Sequence, residues 1–185
     1  MRKLEEKNPA LKKKIFLCLG LFCGSTVNFT GTKFLLKYLG FNPKEVKGIS
    51  YRGHGWPGKL KIKTDKKTYL FSFSYTHTFF NLGFFVPPAC FQCSDFSNEL
   101  ADLSFGDAWL PEIMKKDKLG TNIIIARTKK GEEILKRANK AISVKKISEE
   151  KIIKTFWWRL YSKKGKLSFP YKLIFSFYRF NSFFT

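Results

Sequence analysis

Ile15-Phe16-Leu17-Cys18-Leu19-Gly20-Leu21-Phe22 is an unbroken apolar run of strand length, ended by Gly24 and Ser25. Such a run suits a strand covered on both faces, as in a sheet layered with helices. Beyond it, Thr30 is placed to cap a helix from Gly31 to Leu39, with Phe34, Leu35, Tyr38 and Leu39 on one face and Gly40 as terminator. Strand, loop and helix in that order predict an α/β protein, a mixed sheet with flanking helices.

The rest of the chain extends this pattern. Residues 2–14 form a polar, helix-prone lead, and Val46 to Arg52 is a second short strand. Leu60-Lys61-Ile62-Lys63 alternates as a half-exposed strand, and Asp65-Lys66-Lys67 turns it into the strand Thr68 to Phe73, giving a hairpin. The aromatic stretch 75–89 is expected to line a site, and a short helix is expected within 95–103. Asn122 to Arg127 reads as another buried strand, followed by a helix from Glu132 to Lys140.

With 185 residues the chain is long enough for one domain and an appendage. Its net charge of +21 attracts polyanions. No Lys or Arg occurs from Thr68 to Met114, whereas Asp95, Glu99, Asp102, Asp107 and Glu112 all fall there. A nucleic-acid reader places cations beside its recognition residues, so this acidic island disfavours nucleic acid as the partner. Four cysteines in a chain of this size, without a secretory leader, do not form a small disulfide framework. Ile15 to Phe22 is too short to span a bilayer. The expectation is a cytoplasmic protein with reduced thiols.

Composition changes at Lys151. The last 35 residues hold eight Lys or Arg, no acid and twelve aromatics, which separates a tail, 151–185, from a domain at 10–145. Cations mixed with Trp, Tyr and Phe suit an anionic membrane surface, and would place the protein peripherally at the bilayer. They equally suit a helix that packs on another subunit or domain.

Cys90 and Cys93 are two residues apart, a spacing that lets both sulfurs turn onto one metal ion or cluster. Cys23 lies at the exit of the first strand, where ligands gather in α/β sheets. Cys18 is an odd step from Cys23, so within one strand the two point to opposite faces, and Cys18 reads as a core thiol. Cys23, Cys90 and Cys93 could converge as metal ligands, with Cys18, a histidine, a carboxylate or another chain to complete the four that zinc or a cluster takes. The loop Arg52-Gly53-His54-Gly55-Trp56-Pro57-Gly58 leaves backbone room for a planar or phosphorylated ligand, with Arg52 available to a phosphate or carboxylate. Its glycines would equally serve a tight loop with Trp56 in the core. His54 and His77 have no neighbouring base or nucleophile in sequence.

Taken in order, Gly20-Leu21-Phe22-Cys23, Tyr51 to Gly58, Cys90-Phe91-Gln92-Cys93-Ser94-Asp95 and Ala101 to Trp109 resemble the C-terminal domain of the coenzyme F420 hydrogenase/dehydrogenase beta-subunit family. Gly120-Thr121-Asn122 and Arg127 to Glu132 continue the likeness. The resemblance implies an iron–sulfur flavoprotein that passes electrons between a two-electron donor and one-electron carriers. It implies a 4Fe-4S cluster on Cys23, Cys90 and Cys93, with the fourth ligand from the family's N-terminal half on a separate chain. FAD would sit beside the cluster and coenzyme F420 is a further candidate cofactor. Arg52, Gly53, Gly55, Trp56, Gly58, Asp102 and Asp107 would contact the cofactor, although Asp102 and Asp107 could instead cap turns. The chain begins at or just before this domain, so half of the usual protein is expected elsewhere. A non-enzymatic zinc-stabilised module and a membrane-surface assembly module are the alternatives. The acidic surround of Cys90 and Cys93 predicts a low cluster potential.

Overall fold

The computed structural model describes residues 6–81 and 83–164. In chain order its elements are α1 (Pro9–Lys14), β1 (Leu19–Leu21), α2 (Phe29–Tyr38), β2 (Val46–Ser50), β3 (Lys59–Thr64), β4 (Thr68–Ser72), α3 (Phe73–Asn81), α4 (Pro88–Gln92), β5 (Leu103–Asp107), α5 (Pro111–Lys116), β6 (Asn122–Ala126), α6 (Lys129–Ala138) and α7 (Glu149–Lys164). The protein is α/β, as the strand and helix order predicts. Its strands, however, divide into two three-stranded sheets, β1-β5-β6 and β2-β3-β4.

The second sheet follows directly from alternation. In β3, Leu60 and Ile62 are fully buried, and the alternating Lys59, Lys61 and Lys63 take the other face. Helix α2 covers that face with Leu35 and Leu36, and α3 adds Phe79. Each fully buried aliphatic side chain contributes roughly 1.5–3 kcal/mol, so Leu35, Leu60 and Ile62 are leading contributors to this layer. Asn28, rather than Thr30, caps α2: its backbone is extended and its side chain accepts from the Gly31 amide at 3.0 Å. Gly40, with φ +82°, ends the helix in the left-handed conformation that glycine takes without strain.

The first strand departs from expectation. Only Leu19–Leu21 is extended and hydrogen-bonded, parallel to β5, and Leu19 and Leu21 are 63% and 69% exposed. The reason is its place at the edge of its sheet. Gly20 turns inward, where a Cβ would collide with the Asn98 side chain, while the opposite face has no cover among the described residues. Residues 95–103 also differ, holding turns and the start of β5 in place of a helix. Asn98 sits at φ 52°, and the Asp95 carboxylate accepts from the Glu99 amide at 3.2 Å, which closes a turn. The short helix stands earlier, at α4, with Pro88 in its first turn.

The second core joins β5, β6 and α7 through Phe96, Ala108, Leu110, Ile123 and Phe156. Phe156 meets the Phe22 ring edge-on at 5.6 Å and Phe96 at 5.4 Å. The first half of the basic aromatic segment is therefore a helix packed on this domain, while residues 165–185, Phe183 among them, lie outside the described residues. Phe156→Ala is expected to lower stability by about 3–5 kcal/mol. Trp157→Ala, on the exposed face one residue on, should change it by no more than about 0.5 kcal/mol. Urea denaturation of both variants checks this; equal effects would show that α7 is not anchored through Phe156.

Candidate functional site

The site is organised around Asp102. Its amide donates to the Cys18 carbonyl at 2.8 Å and its carbonyl accepts from the Arg127 amide at 2.9 Å. Its carboxylate accepts from the Cys18 amide at 2.9 Å and from the Thr128 hydroxyl at 2.8 Å. Thr128 in turn caps α6 by accepting from Gly131 at 3.1 Å. One side chain thus holds the approach to β1, the start of β5 and the head of α6. Asp102 works here as a fastening between segments distant in sequence, and the helix cap itself is Thr128.

From this anchor the chain places the cysteines. After β1, the Cys23 amide donates to the Phe96 carbonyl at 2.8 Å, which sets the Cys23 segment against the stretch that follows Cys93. A network behind that stretch keeps it in position. Arg127 donates to Ser97 Oγ at 2.8 Å and to Ser104 Oγ at 3.3 Å, and fully buried Ser104 donates to the Asn98 carbonyl at 3.1 Å. Cys23, Cys90 and Cys93 are free thiols, Cys23 and Cys93 exposed and Cys90 half-buried. Cys93 donates to the Asp95 carbonyl at 3.4 Å. Among the described residues no three His, Cys, Asp or Glu side chains are gathered closely enough to hold a metal ion. Three thiolates are the right donors for iron–sulfur or zinc. The donor set therefore suits such a group in kind, and the Cys23–Phe96 backbone bond joins the Cys23 segment to the stretch three residues past Cys93.

Cys18 is half-buried and precedes β1, so it and Cys23 do not share one unbroken strand. Its amide and carbonyl are both committed to Asp102.

A second feature joins the two sheets. Arg52, just past β2, donates through Nη1 to Asp107 Oδ2 at 2.6 Å at the end of β5. Its Nε reaches the Pro57 carbonyl at 3.2 Å, and the guanidinium lies 5.5 Å from the ring centres of Phe73 and Trp109. Phe73 and Trp109 are stacked, 5.7 Å apart and 15° from parallel. Arg52 therefore meets a carboxylate of its own chain, and Asp107 belongs to an ion pair.

The loop after Arg52 is tight. Gly55 and Gly58 have φ +88° and +104°, and a Cβ on Gly58 would stand 3.0 Å from the Gly53 amide. Lys59 donates to the Gly53 carbonyl at 2.8 Å, closing the loop on itself. Trp56 is buried against Trp109, and its Nε1 has no acceptor among the described residues. A neighbouring turn completes that wall. Asp117 accepts from Thr121 at 2.6 Å and from the amides of Gly120 and Leu119, the Thr121 hydroxyl first among the causes that hold its carboxyl below the usual range.

Two cavities flank the Arg52–Asp107 pair. One, about 390 Å³, has walls that include Tyr51, Phe73, His77, Phe96, Trp109 and Arg159. The other, about 420 Å³, is bounded by Gly53, Gly55, Trp56 and Gly120. Each is at the small end of ligand pockets, which run from about 300 to 1,000 Å³, with room for a ring system and not for a whole dinucleotide. The orphaned Trp56 Nε1 and the aromatic walls fit a planar ligand bearing a hydrogen-bond acceptor. His54, at φ 57°, serves the loop backbone, whereas His77 lies on the wall of the first cavity.

The sequence did not point to Arg159 or Lys163. Arg159 donates to the Asn81 side chain and Lys163 donates to the Cys90 carbonyl at 2.7 Å. A signal was present: Ile152, Phe156, Arg159 and Lys163 recur at helical spacing, so whichever surface receives Phe156 also receives both cations.

These features define an α/β scaffold that sets a thiol-bearing loop beside an aromatic, arginine-lined cleft. Residues 1–150 match the family described as the C terminus of the coenzyme F420 hydrogenase/dehydrogenase beta subunit, and the chain belongs to that family. It is 30% identical over 129 residues to the coenzyme F420 hydrogenase subunit beta of Methanothermobacter thermautotrophicus, covering 69% of this chain and 40% of that protein. It is 29% identical over 126 residues to the coenzyme F420-dependent sulfite reductase of Methanocaldococcus jannaschii, covering 68% of this chain and 17% of that protein. A chain of the F420-reducing [NiFe] hydrogenase complex from Methanosarcina barkeri shares the fold with a TM-score of 0.53 and 20% identity, over 89% of this chain and 55% of that one. The chain thus spans less than half the length of these curated relatives.

Asp102→Ala removes the acceptor of the Cys18 amide and the Thr128 hydroxyl together. Hydrogen bonds to a charged group contribute roughly 1.5–3 kcal/mol each, so the variant should lose at least that much stability. Chemical denaturation measures the loss, and Asp107→Ala, whose ion pair is partly exposed, should lose no more than about 1 kcal/mol.

Proposed function

We propose that this chain is an iron–sulfur electron-transfer domain of a flavin- or deazaflavin-linked oxidoreductase. Cys23, Cys90 and Cys93 would supply thiolates to a 4Fe-4S cluster, and a separate chain the remaining ligand and much of an FAD site. The observation that carries this is the Cys23 amide bonded to the Phe96 carbonyl, which sets the strand-exit cysteine against the Cys90–Cys93 loop within a domain of this family. When bound, a cluster exchanges single electrons and a flavin or deazaflavin exchanges pairs, which is the chemistry such a domain combines.

The chain's own residues have definite parts in this proposal. Arg127 and Ser97 hold the stretch after Cys93, so the thiolates are presented from a fixed backbone. Phe73, Trp109 and Trp56 offer flat apolar walls, with Trp56 Nε1 as donor. Arg52, already balanced by Asp107, adds a positive edge without a large net charge. Coenzyme F420 itself, named for the relatives, is a candidate for the cleft on the same grounds.

The test is iron, sulfide, zinc and flavin content after anaerobic purification, with Cys90→Ala alongside. Iron with matching sulfide, lost in the variant, is the expected result; zinc in the same site would favour the structural alternative.

A second proposal concerns α7. Ile153, Trp157, Trp158 and Tyr161 are all exposed at helical spacing, with Lys154 on the same face. No helix among the described residues is long and apolar enough to cross a membrane. Exposed Trp and Tyr beside cations suit the interface of an anionic bilayer. The full chain should cosediment with phosphatidylserine vesicles and not with phosphatidylcholine ones, and Trp157→Ser with Tyr161→Ser should weaken it; equal binding to both vesicles would sink the idea.

A further inference from the structure

The Cys90–Cys93 loop lies in the stretch with no Lys or Arg of its own, yet it is met by cations from far along the chain. Lys163 Nζ donates to the Cys90 carbonyl at 2.7 Å in a partly buried contact. Lys164 pairs with Glu99, and Arg159 bonds Asn81 at the end of α3. These residues come from α7, whose body extends beyond the part of the chain that matches the family. Phe156, packed on Phe22 and Phe96, sets the depth and rotation of the helix. At 3.6 residues per turn, Lys163 follows Phe156 by nearly two turns and so falls on the same inward face.

We infer that Lys163 is a positioning residue for the cysteine loop: it holds the Cys90 peptide and places a positive charge at the Cys90 carbonyl. The inference rests on the cluster proposal above and adds an element that the family match does not include. Two consequences follow from the chemistry. An ammonium bonded to the Cys90 carbonyl restrains a loop whose α4 has no side-chain cap, so the thiols at its two ends are presented in fixed directions. Its charge also favours the reduced, more negative state of a neighbouring cluster, and so raises the potential. That opposes the lowering expected from the acidic residues nearby, of which Glu99 is itself paired with Lys164.

The experiment compares the full wild-type chain with Lys163→Met, Lys163→Arg and, as a control on the outer face of α7, Lys154→Met. Each is loaded anaerobically with iron and sulfide and its midpoint potential is measured. In parallel, amide hydrogen exchange over α4 and around Cys23 is read in the metal-free protein. Lys163→Met should shift the reduction equilibrium about tenfold toward the oxidised form, which for one electron is about 59 mV lower. It should also speed amide hydrogen exchange over α4 several-fold while leaving the Cys23 amide, bonded to Phe96, unchanged. Lys163→Arg should restore both readouts, and Lys154→Met should match wild type. An unchanged potential at equal iron content overturns the inference and leaves the cluster proposal standing. No iron in the wild-type chain overturns the cluster proposal instead; equal amide exchange over α4 in wild type and Lys163→Met then overturns the inference as well.

Discussion

The carboxylate and peptide of Asp102 are the fastening on which this architecture depends. A strand three residues long has too few ladder bonds to hold its own place at a sheet edge. β1 holds because Asp102 bonds both the amide and the carbonyl of Cys18 just before it, and the Thr128 hydroxyl that caps α6. The same constraint fixes where Cys23 emerges, opposite Phe96, and so brings the strand-exit cysteine to the Cys90–Cys93 segment. Close packing adds to it: a Cβ on Gly131 would collide with the Asp102 carbonyl oxygen, so the first turn of α6 can approach only as glycine.

Much of the second sheet was legible because its pattern is local. Alternation in Leu60-Lys61-Ile62-Lys63 and the polar turn after Thr64 are complete signals within a dozen residues, and the hairpin forms where they predict. The apolar run at Ile15 to Phe22 is a different case. Hydrophobicity states that a segment requires cover, not how many neighbours supply it, and the edge position of β1 leaves Leu19 and Leu21 open. The segment 95–103 shows the same limit from the polar side. Its Asp and Asn content suits helix caps and turns equally, and the pairing of β5 with both β1 and β6 decided for turns and a strand.

The candidate cleft was legible as a set of motifs and not as a set of contacts. Arg52 and Asp107 were each singled out, but their 55-residue separation hid that they meet each other. That pairing changes the chemistry available. An arginine whose charge is answered at 2.6 Å by a carboxylate attracts an anion less than a free one, which leaves the aromatic walls and the Trp56 Nε1, unpaired among the described residues, as the other distinctive chemistry of the cleft. The glycines of the loop were likewise readable as either room for a ligand or freedom for a turn. The left-handed backbone at Gly55 and Gly58 accounts for both of them by the turn, and their small size still leaves the adjoining cavity open.

Charge is where a one-dimensional reading departs furthest from the folded chain. Along the sequence the cysteine segment is an acidic island; in the fold, Asp107 meets Arg52, Glu99 meets Lys164 and Glu112 meets Lys151, whose ammonium holds the Glu112 carboxyl below its usual range. Two of these cations, and Lys163 with them, come from α7. The helix is amphipathic in two senses at once. Its inner face spends one aromatic on the core and carries Lys163 to the Cys90 carbonyl, its flanks send Lys151 to Glu112 and Lys164 to Glu99, and its outer face carries Trp157, Trp158 and Tyr161 into solvent. A helix fixed by Phe156 therefore sets the electrostatic surroundings of thiols more than sixty residues away. The charge that surrounds the cysteine loop therefore depends on tertiary packing as well as on the loop's own composition.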